Sequence, residues 1–338
     1  MFRQIATKRP FTLYYVIAVA FPTILFSYLL GLEILFQNLN GPDFSFLGTF
    51  YAHQGRLIED HPILFQHRDT ILLYLAGYMA IPLGAPFLFF PLAPTVSALF
   101  VSWLRGGFAS VRKLLSHYRP VRGTLTARDG LRIYALVMIC MLALSGVLFV
   151  WSSLTGNTKL TDNMYQTFGL FDWRNFAMGA LLALFLNQGG LLEELGWRGF
   201  ALPYLLRRYT PLIATLIVGV CWTFWHFPRE IPSLISGQQS IPSLLLGQLQ
   251  FMGACVGLSI VITYFVNISG GSVLPAIMWH GLFNYVYTAM SVRIEGNARV
   301  GFNFDAPVLW LSCAALVLLL VGPDLGYKRR REILGEAE

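Results

Sequence analysis

Charge is scarce in this chain. Of its 338 residues only 12% are Asp, Glu, Lys or Arg, and 17 are acidic. Soluble domains carry about a quarter charged residues, so a soluble fold is excluded. With 56% of the residues hydrophobic, the surrounding solvent is lipid. Ile231 to Val292 contains no Asp, Glu, Lys or Arg at all. Cysteine is equally sparse: Cys140, Cys221, Cys255 and Cys313 stand singly in apolar segments, which leaves neither a disulfide framework nor a thiolate metal site. The zinc-protease signature His-Glu-x-x-His is absent, and there is no low-complexity tract or internal repeat. A formal net charge of +7 invites a nucleic-acid reading, but the basic residues lie between apolar runs, so no nucleic-acid partner is expected.

Apolar runs are what the chain has in abundance. A helix needs about 20 residues to cross a ~30 Å hydrocarbon layer, and runs of that order predict an all-α, polytopic transmembrane bundle of about eight spans: 11–35, 71–104, 132–154, 175–206, 211–228, 243–266, 272–291 and 306–323. The run 71–104 is long and carries Pro82, Pro86, Pro91 and Pro94, so it reads as one span plus a broken or re-entrant piece. Lys and Arg test the layout: 1–10, 105–132, 207–208 and 324–338 hold 16 of them, the alternate loops 7. That bias predicts a multi-pass protein of the cell membrane with both termini cytoplasmic. The stretch 38–70, with His53, His61 and His67 among Gly, Pro, Asp and Asn, reads as a loop with ordinary solvated histidines. Three regions follow: N-terminal spans and loops over 1–174, a core over 175–290, and a final span with a basic tail over 291–338.

Three polar clusters interrupt the apolar runs: Glu193-Glu194-Leu-Gly-Trp-Arg198, Trp222-Thr-Phe-Trp-His226 and His280-Gly-Leu-Phe-Asn284. Ionisable groups inside a bilayer are expensive, and by default they mark a functional site. Residues four apart share a helix face, so Glu194 meets Arg198, whereas Glu193 points about 100° away, on the face of Trp197, without an obvious partner. An unpaired carboxylate among apolar groups suits a general base working near neutral pH. If the turn between the fourth and fifth spans falls at 208–211, Glu194 and His226 lie at similar depth, with Trp222 and Trp225 as apolar walls for the imidazole. His280 and Asn284, one turn apart, can donate hydrogen bonds to an oxyanion. Together these groups make a hydrolytic site in which water attacks, with no serine or cysteine nucleophile.

Each cluster alone has a plain reading as packing: a Glu–Arg pair joining helices, a satisfied core histidine, an interhelical His–Asn contact. A second chemistry uses the same residues, with Glu193, His226 and His280 holding Zn²⁺ or another divalent metal beside an open position. A non-catalytic scaffold, an immunity protein or a transporter also stays open, though no related halves with paired broken helices are present.

Taken together, the clusters resemble the CPBP family of intramembrane peptidases, also called the CAAX prenyl protease 2 or ABI family. Its pattern is Glu-Glu-x-x-x-Arg, Phe-x-x-x-His and His-x-x-x-Asn or Asp, in that order. The resemblance covers 175–290 and implies a peptidase acting on a peptide or protein reached from the membrane. It further implies that Glu193 activates water, Glu194 and Arg198 support it, His226 assists, and His280 with Asn284 binds the oxyanion. Descriptions of the family divide between glutamate-activated water and a metal. Trp222 stands where the family usually has Phe; Trp222 and Trp197 are the candidate substrate-contacting residues. Neither substrate identity nor oligomeric state follows from the resemblance.

Overall fold

The computed structural model describes residues 2–41, 43–61, 70–155, 173–235, 237, 239–290 and 305–336. Every regular element among them is helical, because in lipid a helix satisfies each N–H and C=O within its own segment. The main helices are α1 (Pro10–Asn40), α2 (Phe46–Asp60), α3 (Ile71–Ala80), α4 (Phe89–Leu115), α5 (Ala127–Thr155), α6 (Trp173–Phe185), α7 (Gln188–Glu194), α8 (Pro211–His226), α9 (Ile241–Ile268), α10 (Leu274–Met290), α11 (Asp305–Val321) and α12 (Tyr327–Leu334).

Among the described residues, five helical stretches are long and apolar enough to cross a membrane: Pro10–Asn40, Pro82–Tyr118, Ala127–Leu148, Pro211–Ile235 and Ile241–Ile268. The chain is an integral membrane protein. The expected span 175–206 is not one helix but α6, α7, a π-wound turn Leu195–Ala201 and the short helix Leu202–Leu205, while α10 and α11 have 17 residues each.

The proline-rich run breaks after Ala80, and a 3₁₀ turn, Pro82–Leu88, leads into α4. That helix runs past the expected end at 104, but its backbone leaves helical geometry at Gly106 and Gly107, the latter with φ 60°. A span thus ends near 105 and a basic piece with Arg112 and Lys113 turns away. The loop expected over 38–70 is corrected: it contains α2, whose Phe46, Phe50 and Gln54 are buried on one face at four-residue spacing. Ser45 caps it, accepting from Gly48 N at 2.9 Å. His53 therefore sits on a helix, and His67 lies outside the described residues, as do 156–172 and 291–304.

Burial orders the bundle. In α9, 72% of the apolar window is enclosed by protein, against 28% in α1, so α9 is the central post and α1 a peripheral, lipid-facing helix. Small residues permit a close crossing: Gly253 and Gly257 of α9 face α11, and a Cβ on Gly257 would meet the Trp310 carbonyl at 2.5 Å. Gly257→Val should force the two backbones apart and lower stability by about 1–3 kcal/mol. Thermal unfolding in detergent reads that loss, and an unchanged midpoint would contradict the crossing. The N-terminal helices share the same core: Trp225 of α8 donates to the Ala18 carbonyl of α1 at 2.9 Å, and Tyr14 packs edge-on against Trp197.

Candidate active site

The site is built where α7 and its π-wound continuation meet α8, α9 and α10. A π turn closes i→i+5 bonds and often marks a functional position. Asn187 starts α7 as its N-cap, with Oδ1 accepting from Gly190 N at 3.0 Å. Gly189 and Gly190 then let α7 lie directly on α10, since a Cβ on Gly190 would stand 2.7 Å from the Ile277 carbonyl oxygen.

Glu194 is fully enclosed. Its Oε1 accepts from Arg198 Nη1 at 2.7 Å and from His280 Nδ1 at 2.7 Å. The four-residue spacing brings Arg198 onto Glu194, and the guanidinium continues to Ser259 Oγ of α9 at 2.9 Å. Arg198 also lies over the Trp222 ring, 4.8 Å from its centroid. One carboxylate thus ties α7 to α10 directly and to α9 through Arg198. The price of holding these charges out of water is offset only while every partner is present.

Glu193 does have a partner, contrary to the expectation from spacing: Trp222 Nε1 donates to its Oε2 at 2.8 Å. A phenylalanine at 222 has no N–H, so this chain's departure from the family pattern supplies a hydrogen bond to the candidate base. Trp222 is 1% exposed and does more than wall the imidazole. Its carbonyl accepts from His226 Nδ1 at 2.9 Å, which leaves Nε2 as the free ring nitrogen, and its ring stands edge-on to His280 at 4.8 Å. His226 is enclosed by Phe90, Trp225 and Phe251. No hydrogen bond joins His226 to either glutamate; Trp222 lies between them. The residue that meets the glutamates across the turn is therefore Trp222, one turn before the expected His226, because the π-wound stretch advances less per residue than the α-helix assumed in the counting.

His280 Nε2 and Asn284 Nδ2 converge. Each stands 2.8 Å from the place a Cβ on Gly189 would take, so a substituent there would fill the gap between them. Asn284 Nδ2 also donates to Asn187 Oδ1 at 2.9 Å, which fixes which end of the carboxamide is the donor and leaves its second hydrogen for a ligand. His280 Nδ1 is paired with the Glu194 carboxylate, which leaves Nε2 on the side of Asn284. Trp197 is fully buried among Tyr14, Tyr15 and Trp225.

Sequence reasoning missed Asn187 and Ser259. Asn187 carried a signal, an Asn immediately before a helical pattern and two glycines; a single serine in an apolar helix carried none. Among the described residues no three His, Cys, Asp or Glu side chains stand together as a metal-ligand set, and His280 Nδ1 and His226 Nδ1 are engaged in hydrogen bonds, which leaves Nε2 of each ring.

Residues 173–286 match the family described as type II CAAX prenyl endopeptidase, Rce1-like. A CAAX prenyl protease 2 from Methanococcus maripaludis is 28% identical over 156 residues, covering 46% of this chain and 55% of the relative. The chain thus spans about half the length of the curated relative it matches, and residues 173–286 contain all three polar clusters. From α6 to most of α10, the chain is similar to the Rce1-like CAAX prenyl endopeptidase family.

Proposed function

We propose that the protein is an intramembrane endopeptidase that hydrolyses a peptide bond of a membrane-associated, lipophilic peptide with glutamate-activated water. The observation that carries this reading is the convergence of His280 Nε2 and Asn284 Nδ2 above Gly189, within the buried network that also holds Glu193. Glu193 takes a proton from a water whose other hydrogen faces His226 Nε2, and the water oxygen adds to the peptide carbonyl carbon. The oxyanion accepts from Asn284 Nδ2 and His280 Nε2. Collapse breaks the C–N bond, and the proton held on Glu193 passes to the leaving amine. The surrounding protein crosses the cell membrane eight times, with α6 to the Leu202–Leu205 helix, α10 and α11 as the additional crossings, and with both termini cytoplasmic.

The relative's name points to a prenylated carboxyl-terminal peptide as the first probe. Purified protein in proteoliposomes should cleave a farnesylated CAAX peptide faster than its unprenylated form, and should keep that rate after dialysis against a chelator. Cleavage lost to the chelator and restored by Zn²⁺ would transfer the water to a metal; absence of cleavage across prenylated and unprenylated membrane peptides would sink the peptidase reading.

Asn187 gives a separable prediction. Serine at 187 still caps α7 but is too short to reach Asn284. Asn187→Ser should therefore leave the unfolding midpoint nearly unchanged while kcat falls about 10- to 100-fold through misplacement of the Asn284 donor. Full activity in this variant would show that Asn284 needs no support.

A further inference from the structure

A second cluster of charge lies outside the catalytic region, at the end of the bundle where α9 turns into α10 and the chain leaves α11. Arg330 of α12 is buried, 6% exposed, and its Nη1 donates to Asn267 Oδ1 at 3.2 Å. Arg122, half-buried in the connection before α5, donates from Nη1 to the Gly270 and Gly271 carbonyls at 3.4 Å each. Arg122 Nη1 and Arg330 Nη2 both lie 3.0 Å from the position of a Cβ on Gly271, so they stand no more than about 6 Å apart. Gly271, with φ +89°, has no side chain to separate them.

Every acceptor these two guanidiniums use is neutral. The ion pairs among the described residues involve Arg198, Arg229, Arg329 and His280, not Arg122 or Arg330. The C-terminus of α9 contributes about half a negative charge against two positive ones. Glu336 acts on both arginines from a distance without forming an ion pair. Burial and the neighbouring Arg122 push Arg330 down to about 10, which shows how poorly compensated the pair is. Arg119 beside Arg122 and Lys328 and Arg329 beside Arg330 extend the positive surface. The Ile241–Ile268 span ends here and Ala127–Leu148 begins, so the cluster lies at the end of these apolar spans, where lipid headgroups would be met.

We propose that Arg122 and Arg330 bind a phosphate group at the membrane surface. Two guanidinium forks converging from different segments match the several oxygens of a phosphate, and basic pockets between helices at this depth take anionic headgroups. A bound phosphate would also tie α12 and the 119–126 connection to the turn that starts α10, the helix carrying His280 and Asn284. The proposal does not depend on the peptidase reading.

The test is thermal unfolding of the full chain in detergent, titrated separately with phosphatidylglycerol, phosphatidylcholine and inorganic phosphate, with native mass spectrometry counting retained lipid. Phosphatidylglycerol should raise the midpoint saturably and more than phosphatidylcholine does. Arg122→Gln, at a half-exposed position, should weaken the apparent affinity about fivefold, and Arg122→Lys less than that. A response to inorganic phosphate equal to that of phosphatidylglycerol assigns the site to free phosphate rather than to a headgroup. Equal responses to the two lipids with none to inorganic phosphate, or an Arg122→Gln protein that responds as the wild type does, overturn the proposal. So does a lipid response that is absent in the wild type and appears only in the Glu336→Gln variant, because the cluster is then closed by the chain's own carboxylate.

Discussion

Glu193→Gln should lower kcat/KM by about 10²- to 10⁴-fold while leaving a folded protein, the size of effect expected when a general base is removed. The two halves of that result have separate causes. The amide oxygen of glutamine can still accept from Trp222 Nε1, the hydrogen bond that the Glu193 side chain makes among the described residues, so the packing of α7 against α8 is kept. The substitution also removes a charge from a side chain only 3% exposed, which spares its desolvation. The unfolding midpoint in detergent should stay level or rise. Activity falls because an amide does not take a proton from water at neutral pH. Cleavage at the wild-type rate by a folded Glu193→Gln protein would remove Glu193 from the chemistry and leave His226 as the remaining candidate base.

Trp222 makes the same assignment testable from the other side of the bond, and it also marks where reading the chain alone stopped. Charge scarcity and long apolar runs disclosed an all-helical membrane protein. The four-residue spacing disclosed that Arg198 reaches Glu194, because that contact is local to one helix. What stayed hidden were contacts between helices whose relative rotation no spacing states. That His280 shares Glu194 Oε1 with Arg198 depends on how α10 faces α7. The indole bond to Glu193 depends on a π-wound turn that helical counting treats as α. α2 was missed for a different reason: its Gly and His residues break the apolar pattern, and its burial of Phe46 and Phe50 is supplied by neighbours on other helices, including Phe36 and Tyr78. Asn187 was legible as a cap but not as a support for Asn284, which lies 97 residues away.

The buried charges make the opposite prediction to Glu193. Arg198→Ala should cost about 3–5 kcal/mol of stability, because it leaves the Glu194 carboxylate, fully enclosed by protein, with only His280 Nδ1 beside it. The same change also removes the hydrogen bond to Ser259 and the contact over Trp222. Glu194→Gln should be destabilising too, since it strands the Arg198 guanidinium, but an amide oxygen can still accept a hydrogen bond from it. The informative protein is the double variant Glu194→Leu with Arg198→Met. Replacing both members of a buried pair by apolar groups of similar volume is often neutral or stabilising, so the double variant should unfold at a midpoint well above that of Arg198→Ala alone. Its activity should not recover with its stability, because His280 Nδ1 has then lost the carboxylate that orients the ring toward Asn284. Recovery of both would make the pair a structural strut with no part in the chemistry. Recovery of stability alone places Glu194 where the geometry puts it, holding His280 in the form that can donate from Nε2.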